Sequence, residues 1–249
     1  MMRILIIKTG HRETLCADSG GAISLGDVLR TTVLLHLFKN DDVTWFTDAA
    51  ALPLLSGNLY ITRVIIGLQA HKRYDLVINL ERDFDASHIN TTILINAPDY
   101  TGDFSTESWS DVLFKMLGRK YNGESHILGY RSKSSAVHDV GLNYKIGSKF
   151  PDKQWDKWDE LFSKLIEHDF TVSMQPDESD LHDYMDWIAS CHTIITNDSL
   201  GMHIALAMGK QVIALFGSTP AGAVCGDNLM RITAPGMSNI SVDDVLLHL

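Results

Sequence analysis

Apolar positions along the chain fall into two rhythms. Short unbroken runs lie at Arg3–Lys8, Val43–Thr47, Val64–Ile66, Leu76–Leu80, Val140–Tyr144, Phe170–Met174, Thr193–Thr196 and Gln211–Phe216, with a weaker one at Thr92–Ile95. Runs this short that do not alternate with polar residues predict strands buried on both faces of a sheet. Between them the spacing becomes helical. Gly26–Phe38 carries a stripe of Val28, Leu29, Val33, Leu34 and Leu37, and further helices are expected at Ala49–Leu55, Trp109–Leu117 and Leu181–Cys191. Another helix is predicted to bear Trp155, Trp158, Leu161, Phe162 and Leu165 on one face. An aromatic stripe at that spacing reads as core rather than as a ligand shelf. A short helix with Ile204, Ala205, Ala207 and Met208 on one side is closed by Gly209, and Ser241 with Asp244 forms a capping box for a last helix.

Strands alternating with helices predict parallel α/β layers. Residues 119–138 are polar and irregular, and each half around them opens with its own strand. The expected organisation is therefore two Rossmann-like lobes, 1–137 and 138–249, facing a cleft. Between Thr9 and Ser24 a polar, glycine-containing stretch reads as a long loop, a feature that is uncommon in compact domains and often functional.

One stretch concentrates candidate chemistry: TIITNDSLGMHIALAMGKQVIALFGST, Thr193–Thr219. It predicts strand, turn, helix, strand, with Asn197, Asp198 and Ser199 as turn and N-cap residues. Ligands of open α/β sheets bind outside the carboxyl ends of strands, and helix-start amides suit an anion such as a diphosphate. Asp198-Ser199 alone would be an ordinary cap; His203, one turn on, makes a site the stronger reading. Elsewhere Asp27, in SLGDVLRTT, falls in the first turn of the first helix, where an acid by itself simply complements the helix dipole. The loop NYKIGSKFPDK, Asn143–Lys153, holds Lys145, Lys149 and Lys153. Asp83-Phe84-Asp85 is a DxD after a strand, a pattern that also arises by chance.

Composition narrows the partners. Of 249 residues 45% are hydrophobic, and the formal net charge is −10, which disfavours nucleic acid or a bare anionic membrane as the main partner. Cys16, Cys191 and Cys225 are odd in number and widely spaced, so a reducing compartment is expected. No signal h-region or membrane-length apolar run is present, and the reading is cytoplasmic.

The string TNDSLGMHIALAMGKQVIALFGST resembles the carboxyl-terminal signature of the family 9 glycosyltransferases, the lipopolysaccharide heptosyltransferase group. That signature is an Asp-(Ser/Thr)-Gly-x-x-His run, a small-residue helix and a strand ending in Phe-Gly-x-Thr. The chain departs from it at Leu200, where the family has glycine; the glycine follows as Gly201. GDVL likewise resembles the family's Gly-Asp-(Val/Leu)-Leu pattern, and the Lys153–Trp155 string KQW resembles its Lys-x-Trp. The resemblance implies a compact GT-B fold and inverting transfer of a sugar, heptose in the family's own case, to a lipopolysaccharide-type acceptor. Asp27 is then the general base, with Gly26 and Arg30 on the acceptor side. Asn143, Lys145, Lys153, Gln175, Asp198, Ser199, Leu200, Gly201 and His203 hold the donor, with Ser179 a further guess. The nucleoside loop of the family is replaced by SMQPDESDL, so the base is open, with an ADP-linked donor favoured. Expected partners are a nucleotide-sugar and a glycan acceptor, with no metal or cofactor, no nucleic acid and no transmembrane segment; a peripheral place at the inner membrane is compatible. Two alternatives stand: a non-catalytic nucleotide-sugar-binding module, and a metal-dependent GT-A-like transferase using Asp83 and Asp85.

Overall fold

The computed structural model describes residues 1–10, 23–68, 72–81, 84–97, 106–147, 150–177, 180–217 and 219–249. The chain divides after Tyr130 into two compact units, each with its own parallel five-stranded sheet.

The first unit runs β1 (Arg3–Ile7), α1 (Leu25–Thr31), β2 (Asp42–Phe46), α2 (Leu52–Leu55), β3 (Arg63–Ile65), β4 (Tyr74–Asn79), β5 (Thr91–Asn96) and α3 (Trp109–Met116). Its strands lie in the order β3-β2-β1-β4-β5. Ile4, Leu5, Ile6 and Ile7 are fully buried, as a central strand covered on both faces requires. The order reverses between β1 and β4, which makes the carboxyl ends of those two strands the natural ligand position.

The second unit runs β6 (His138–Asn143), α4 (Trp158–Glu167), β7 (Val172–Met174), α5 (Leu181–Ala189), β8 (Cys191–Asn197), α6 (Leu200–Ala207), β9 (Gln211–Phe216), β10 (Leu229–Thr233) and α7 (Val242–Leu246). The strand order is β10-β9-β8-β6-β7, and the reversal falls between β6 and β8. The capping box of α7 is present, Ser241 and Asp244 bonding each other's backbone amides. Strand β10 has no counterpart in the apolar pattern. It is an edge strand with only Leu229 and Ile232 buried, so it lacks an apolar run.

Two helices differ from expectation. The α1 helix stops at Thr31, and Thr32–Phe38 continues as a tighter 3₁₀ helix. The hydroxyls of Thr31 and Thr32 donate to the carbonyls of Val28 and Leu29 at 2.7 and 2.6 Å, three residues back. Those bonds draw the turn towards i−3 pairing. Trp155 lies before α4 rather than on it, beyond a 3₁₀ turn at Pro151–Lys153. It is fully buried and meets Trp158 edge to face at 5.0 Å, so the aromatic pair is core as expected, although the helix begins only at Trp158.

Candidate functional site

At the reversal point of the second unit, β6 ends in Asn143, in register with Thr196 of β8, and β8 ends one residue on in Asn197. Asp198 and Ser199 follow directly, and α6 begins at Leu200. In its first turn the Met202 amide donates to the Ser199 carbonyl at 3.2 Å, and by helix geometry this end carries a partial positive charge.

Lys153, at the end of the 3₁₀ turn before Trp155, donates to Asp198 Oδ2 at 2.6 Å, and its ammonium lies 4.7 Å from the centre of the Phe150 ring. Both partners are mostly buried, each side chain 16% exposed. Burial pushes the Asp198 carboxyl up. The Lys153 charge and hydrogen bond, His203 and the Thr219 hydroxyl pull it the other way, and the net result lies below the ordinary carboxylate value. Two residues forty-five apart in sequence, Lys153 and Asp198, are thus joined at the start of α6.

Asn143 was expected to contact the donor. It is instead fully buried, its amide committed within the protein: Nδ2 donates to Thr196 Oγ1 at 2.7 Å and to Ser199 Oγ at 2.9 Å, while Oδ1 accepts from the Tyr184 hydroxyl at 2.6 Å. These bonds join β6, β8, α5 and the turn before α6. The N-cap reading of this turn also changes. Ser199 occupies the cap position without a side-chain bond to the helix, because its oxygen receives Asn143, and Asp198 is turned to Lys153.

Gly201, displaced by one from the resembled pattern, has a packing reason: a Cβ there would overlap the Tyr184 hydroxyl and the Asn143 amide. Leu200 occupies the first helical position. His203 is buried within α6, close enough to Asp198 to act on its charge. Gln175 accepts from the Lys145 amide at 3.1 Å, and Lys145 reaches back to the Pro176 carbonyl at 2.8 Å and to Asp177. That pair ties the loop after β6 to the loop after β7, away from the Lys153 cluster's own bonds. Lys149 and Ser179 lie outside the described residues.

Tyr184 is the residue that the sequence reading passed over. It sits on α5, stacked on Trp187 with ring centres 5.9 Å apart, and Trp187 Nε1 donates to Ser173 of β7 at 3.0 Å. Its sequence signal is faint: an aromatic pair at i, i+3 on a helix that already reads as core.

In the first unit, Asp27 and Gly26 lie in the first turn of α1. Asp27 is 5% exposed and forms an ion pair with Arg30, which lies over the Trp109 ring of α3 at 4.2 Å. The described residues on either side of the long stretch before α1 are joined to each other. Ser24 N–H donates to Gly10 O at 2.7 Å, and Gly10 has a left-handed φ of 81° that a side chain would strain. The start of α1 is thus held next to the end of β1, where a short connection would put it. Glu81, just past β4, clamps the same stem. Its Oε1 accepts from Thr9 N, from Thr9 Oγ1 at 2.9 Å and from Gly10 N at 2.9 Å, while Oε2 faces the buried Lys8 ammonium at 3.6 Å. A cavity of about 400 Å³ opens beyond the ends of β4 and β5, lined by Asn79, Glu81, Phe84, Asp85 and Asn96 among others. Asp85 accepts from the Ser87 amide at 2.9 Å, a local turn contact; Asp83 lies outside the described residues. Among the described residues no group of three or more His, Cys, Asp or Glu could hold a metal ion, and no helix is long and apolar enough to cross a membrane.

The sequence profile of glycosyltransferase family 9 (heptosyltransferase) matches residues 177–226, the segment that contains Asp198, Ser199, Gly201 and His203. The chain resembles family 9 in motif and in fold. The Escherichia coli heptosyltransferase WaaC with ADP is similar over 99% of this chain and 98% of its own, with a TM-score of 0.70 at 16% identity. E. coli ADP-heptose lipopolysaccharide heptosyltransferase II covers 99% and 97%, with a TM-score of 0.72 at 18% identity. A family 9 glycosyltransferase from Veillonella parvula covers 99% and 95%, with a TM-score of 0.69 at 18% identity. No curated protein matches the chain in sequence. Its two parallel α/β units thus have the GT-B class of fold that these heptosyltransferases share.

Proposed function

We propose that this chain is an inverting, metal-independent glycosyltransferase that moves a sugar from a nucleotide-sugar to a hydroxyl of a cell-surface glycan precursor. The observation that carries the reading is the Lys153–Asp198 pair beside the start of α6, at the strand-order reversal of the second unit. A leaving nucleoside diphosphate gains negative charge as the sugar departs. A lysine held in place by a carboxylate, together with helix-start amides, stabilises that charge where it develops. Asp198 serves as a positioning residue for Lys153. An ADP-linked donor, heptose in particular, is the first to try, since the WaaC structures hold ADP and an ADP-heptose analogue.

Asp27 is assigned as the general base. It takes the proton of the acceptor hydroxyl while that oxygen bonds to the anomeric carbon and the bond from carbon to diphosphate breaks. The charged side chains lining the β4–β5 cavity, Glu81 and Asp85, are both acids. That lining suits neutral sugar hydroxyls better than an anionic group on the acceptor. A cytoplasmic setting, with the acceptor presented at the inner-membrane surface, belongs to the same proposal.

A second reading has one observation in its favour. Asp27 is buried and held by Arg30, an arrangement that equally suits a structural ion pair in a binding module without turnover. The deciding assay follows a panel of nucleotide-sugars with an oligosaccharide acceptor by NMR, with and without chelator. A product of inverted anomeric configuration, formed in chelator and lost in Asp27→Asn, is expected. Turnover unchanged in Asp27→Asn, or abolished by chelator, would reject the assignment. Binding without turnover would favour the module.

A further inference from the structure

Four hydroxyl and amide groups at the start of α6 form a chain whose direction can be worked out from the acceptors they meet. Thr196 Oγ1 donates its one proton to the Asn197 carbonyl at 2.7 Å. Against Asn143 it can therefore only accept, which places the Asn143 NH₂ group, and not its carbonyl, on the Thr196–Ser199 side. The two amide protons go to Thr196 and Ser199, and the carbonyl oxygen faces the Tyr184 hydroxyl, which must donate to it. Ser199 Oγ is thereby made an acceptor inside the protein. Among the described residues its only hydroxyl neighbour is Thr196 Oγ1 at 3.4 Å, whose own proton is spent on Asn197 but whose oxygen can still accept over that long, weak contact. The proton of Ser199 is thus held inward only by that long contact and is available to a better acceptor in the turn.

We infer that Tyr184 is a positioning residue for donor binding: through Asn143 it fixes the direction of this relay, so that Ser199 donates outward to an oxygen that only accepts. Phosphate oxygens of a diphosphate are of that class, and the inference rests on the diphosphate reading of the site given above. Asn143 is fully buried, so losing the Tyr184 donor leaves its carbonyl without a partner. The amide then gains by rotating to present Oδ1 to Ser199, and the serine proton is drawn inward. Chains of this kind polarise in one sense, each donor strengthening the next. Gly201 belongs to the same device, since any side chain there would drive Tyr184 and Asn143 apart. So does the Tyr184–Trp187 stack, which holds the phenol at its height above α6.

The test is a double-mutant cycle on binding of nucleoside diphosphates (ADP first, then GDP, UDP, CDP and dTDP) by calorimetry, using the full chain. Tyr184→Phe keeps the ring and its stack, and Ser199→Ala keeps the backbone. Each should weaken binding about tenfold or more, the range of a hydrogen bond to a charged group. The double variant should bind no worse than Ser199→Ala alone, because one relay is lost once. Asn143→Asp, whose side chain only accepts, should resemble Tyr184→Phe while the protein keeps its melting transition. Effects of Tyr184→Phe that multiply with those of Ser199→Ala, or wild-type affinity in Tyr184→Phe, would overturn the relay while leaving the diphosphate site standing. Failure of the unaltered protein to bind any of the five would overturn the diphosphate reading itself, and the relay with it.

Discussion

The two sheets reverse strand order at equivalent places and furnish those places with opposite chemistry. At the β1/β4 reversal a fully buried lysine, Lys8, faces Glu81, whose other oxygen is spent on the Thr9 and Gly10 stem. At the β6/β8 reversal the buried groups are neutral: Asn143, Thr196 and Asn197. The charged pair, Lys153 and Asp198, sits further out with part of each side chain exposed. Charge in the first case holds the chain to itself, tying the end of β4 to the residues that follow β1. In the second case neutral hydrogen bonds hold the chain, and the charged pair is left at the rim. An ion pair taken fully out of water spends most of its attraction on desolvation, so it specifies geometry better than it binds anything.

Removing Glu81 should break this contrast most severely. Glu81→Ala removes the carboxylate facing the buried Lys8 and frees two stem amides, and a loss of about 3–5 kcal/mol is expected in urea denaturation. A loss under about 1 kcal/mol would mean that the pair is not organising the stem. Asp27→Asn should lower turnover by roughly 10²–10⁴-fold with donor affinity unchanged, as for a missing general base; steady-state kinetics beside calorimetry separates the two quantities. Gly201→Ala forces a methyl group against Tyr184 and Asn143, and a cost of about 1–3 kcal/mol with weakened nucleotide binding is expected. The same substitution at Gly147, where a Cβ meets nothing within 4 Å, should be nearly silent and serves as its control.

The smallest effect is a pH dependence. The Asp198 carboxyl lies below its ordinary value in the folded protein. Its contribution to stability is therefore complete above the unfolded value of about 4 and fades as pH falls through the lower folded one. Asp198→Asn should lose the corresponding acid limb of a stability–pH profile and leave the neutral region parallel to the unaltered protein. An unchanged limb below about pH 4 would assign that loss to other carboxylates.

Most of the fold is legible in the apolar pattern because parallel strands buried on both faces announce themselves as short unbroken runs. RILII and QVIALF carry no ambiguity of period, and both are strands in the structure. LMRIT does not announce itself, since an edge strand buries only part of itself. Trp155 was placed on α4 because 155, 158 and 162 keep helical spacing, a period that cannot register the non-helical residues 154–157 before the helix starts at Trp158. The site was legible in outline. Lys153 and Asp198 were each singled out and lie hydrogen-bonded together, although nothing in their separation along the chain foretold the pairing. Asn143 was read outward, as a ligand group, because a polar residue ending a strand looks exposed in one dimension; three partners from three other elements enclose it. Gly201, read as a displaced phosphate glycine, also meets a packing demand that one dimension does not show, since Tyr184 and Asn143 leave no room for a side chain.

The central claim is that the rim charge of the second unit receives a diphosphate, and thermal unfolding with ADP at increasing concentration tests it most directly. Occupancy at about 100 times the dissociation constant adds about 2.7 kcal/mol. A concentration-dependent rise in Tm is expected that persists in chelator and in Asp27→Asn and disappears in Lys153→Ala. A rise of equal size in Lys153→Ala would contradict it, as would no rise with ADP or with any of the other four nucleoside diphosphates.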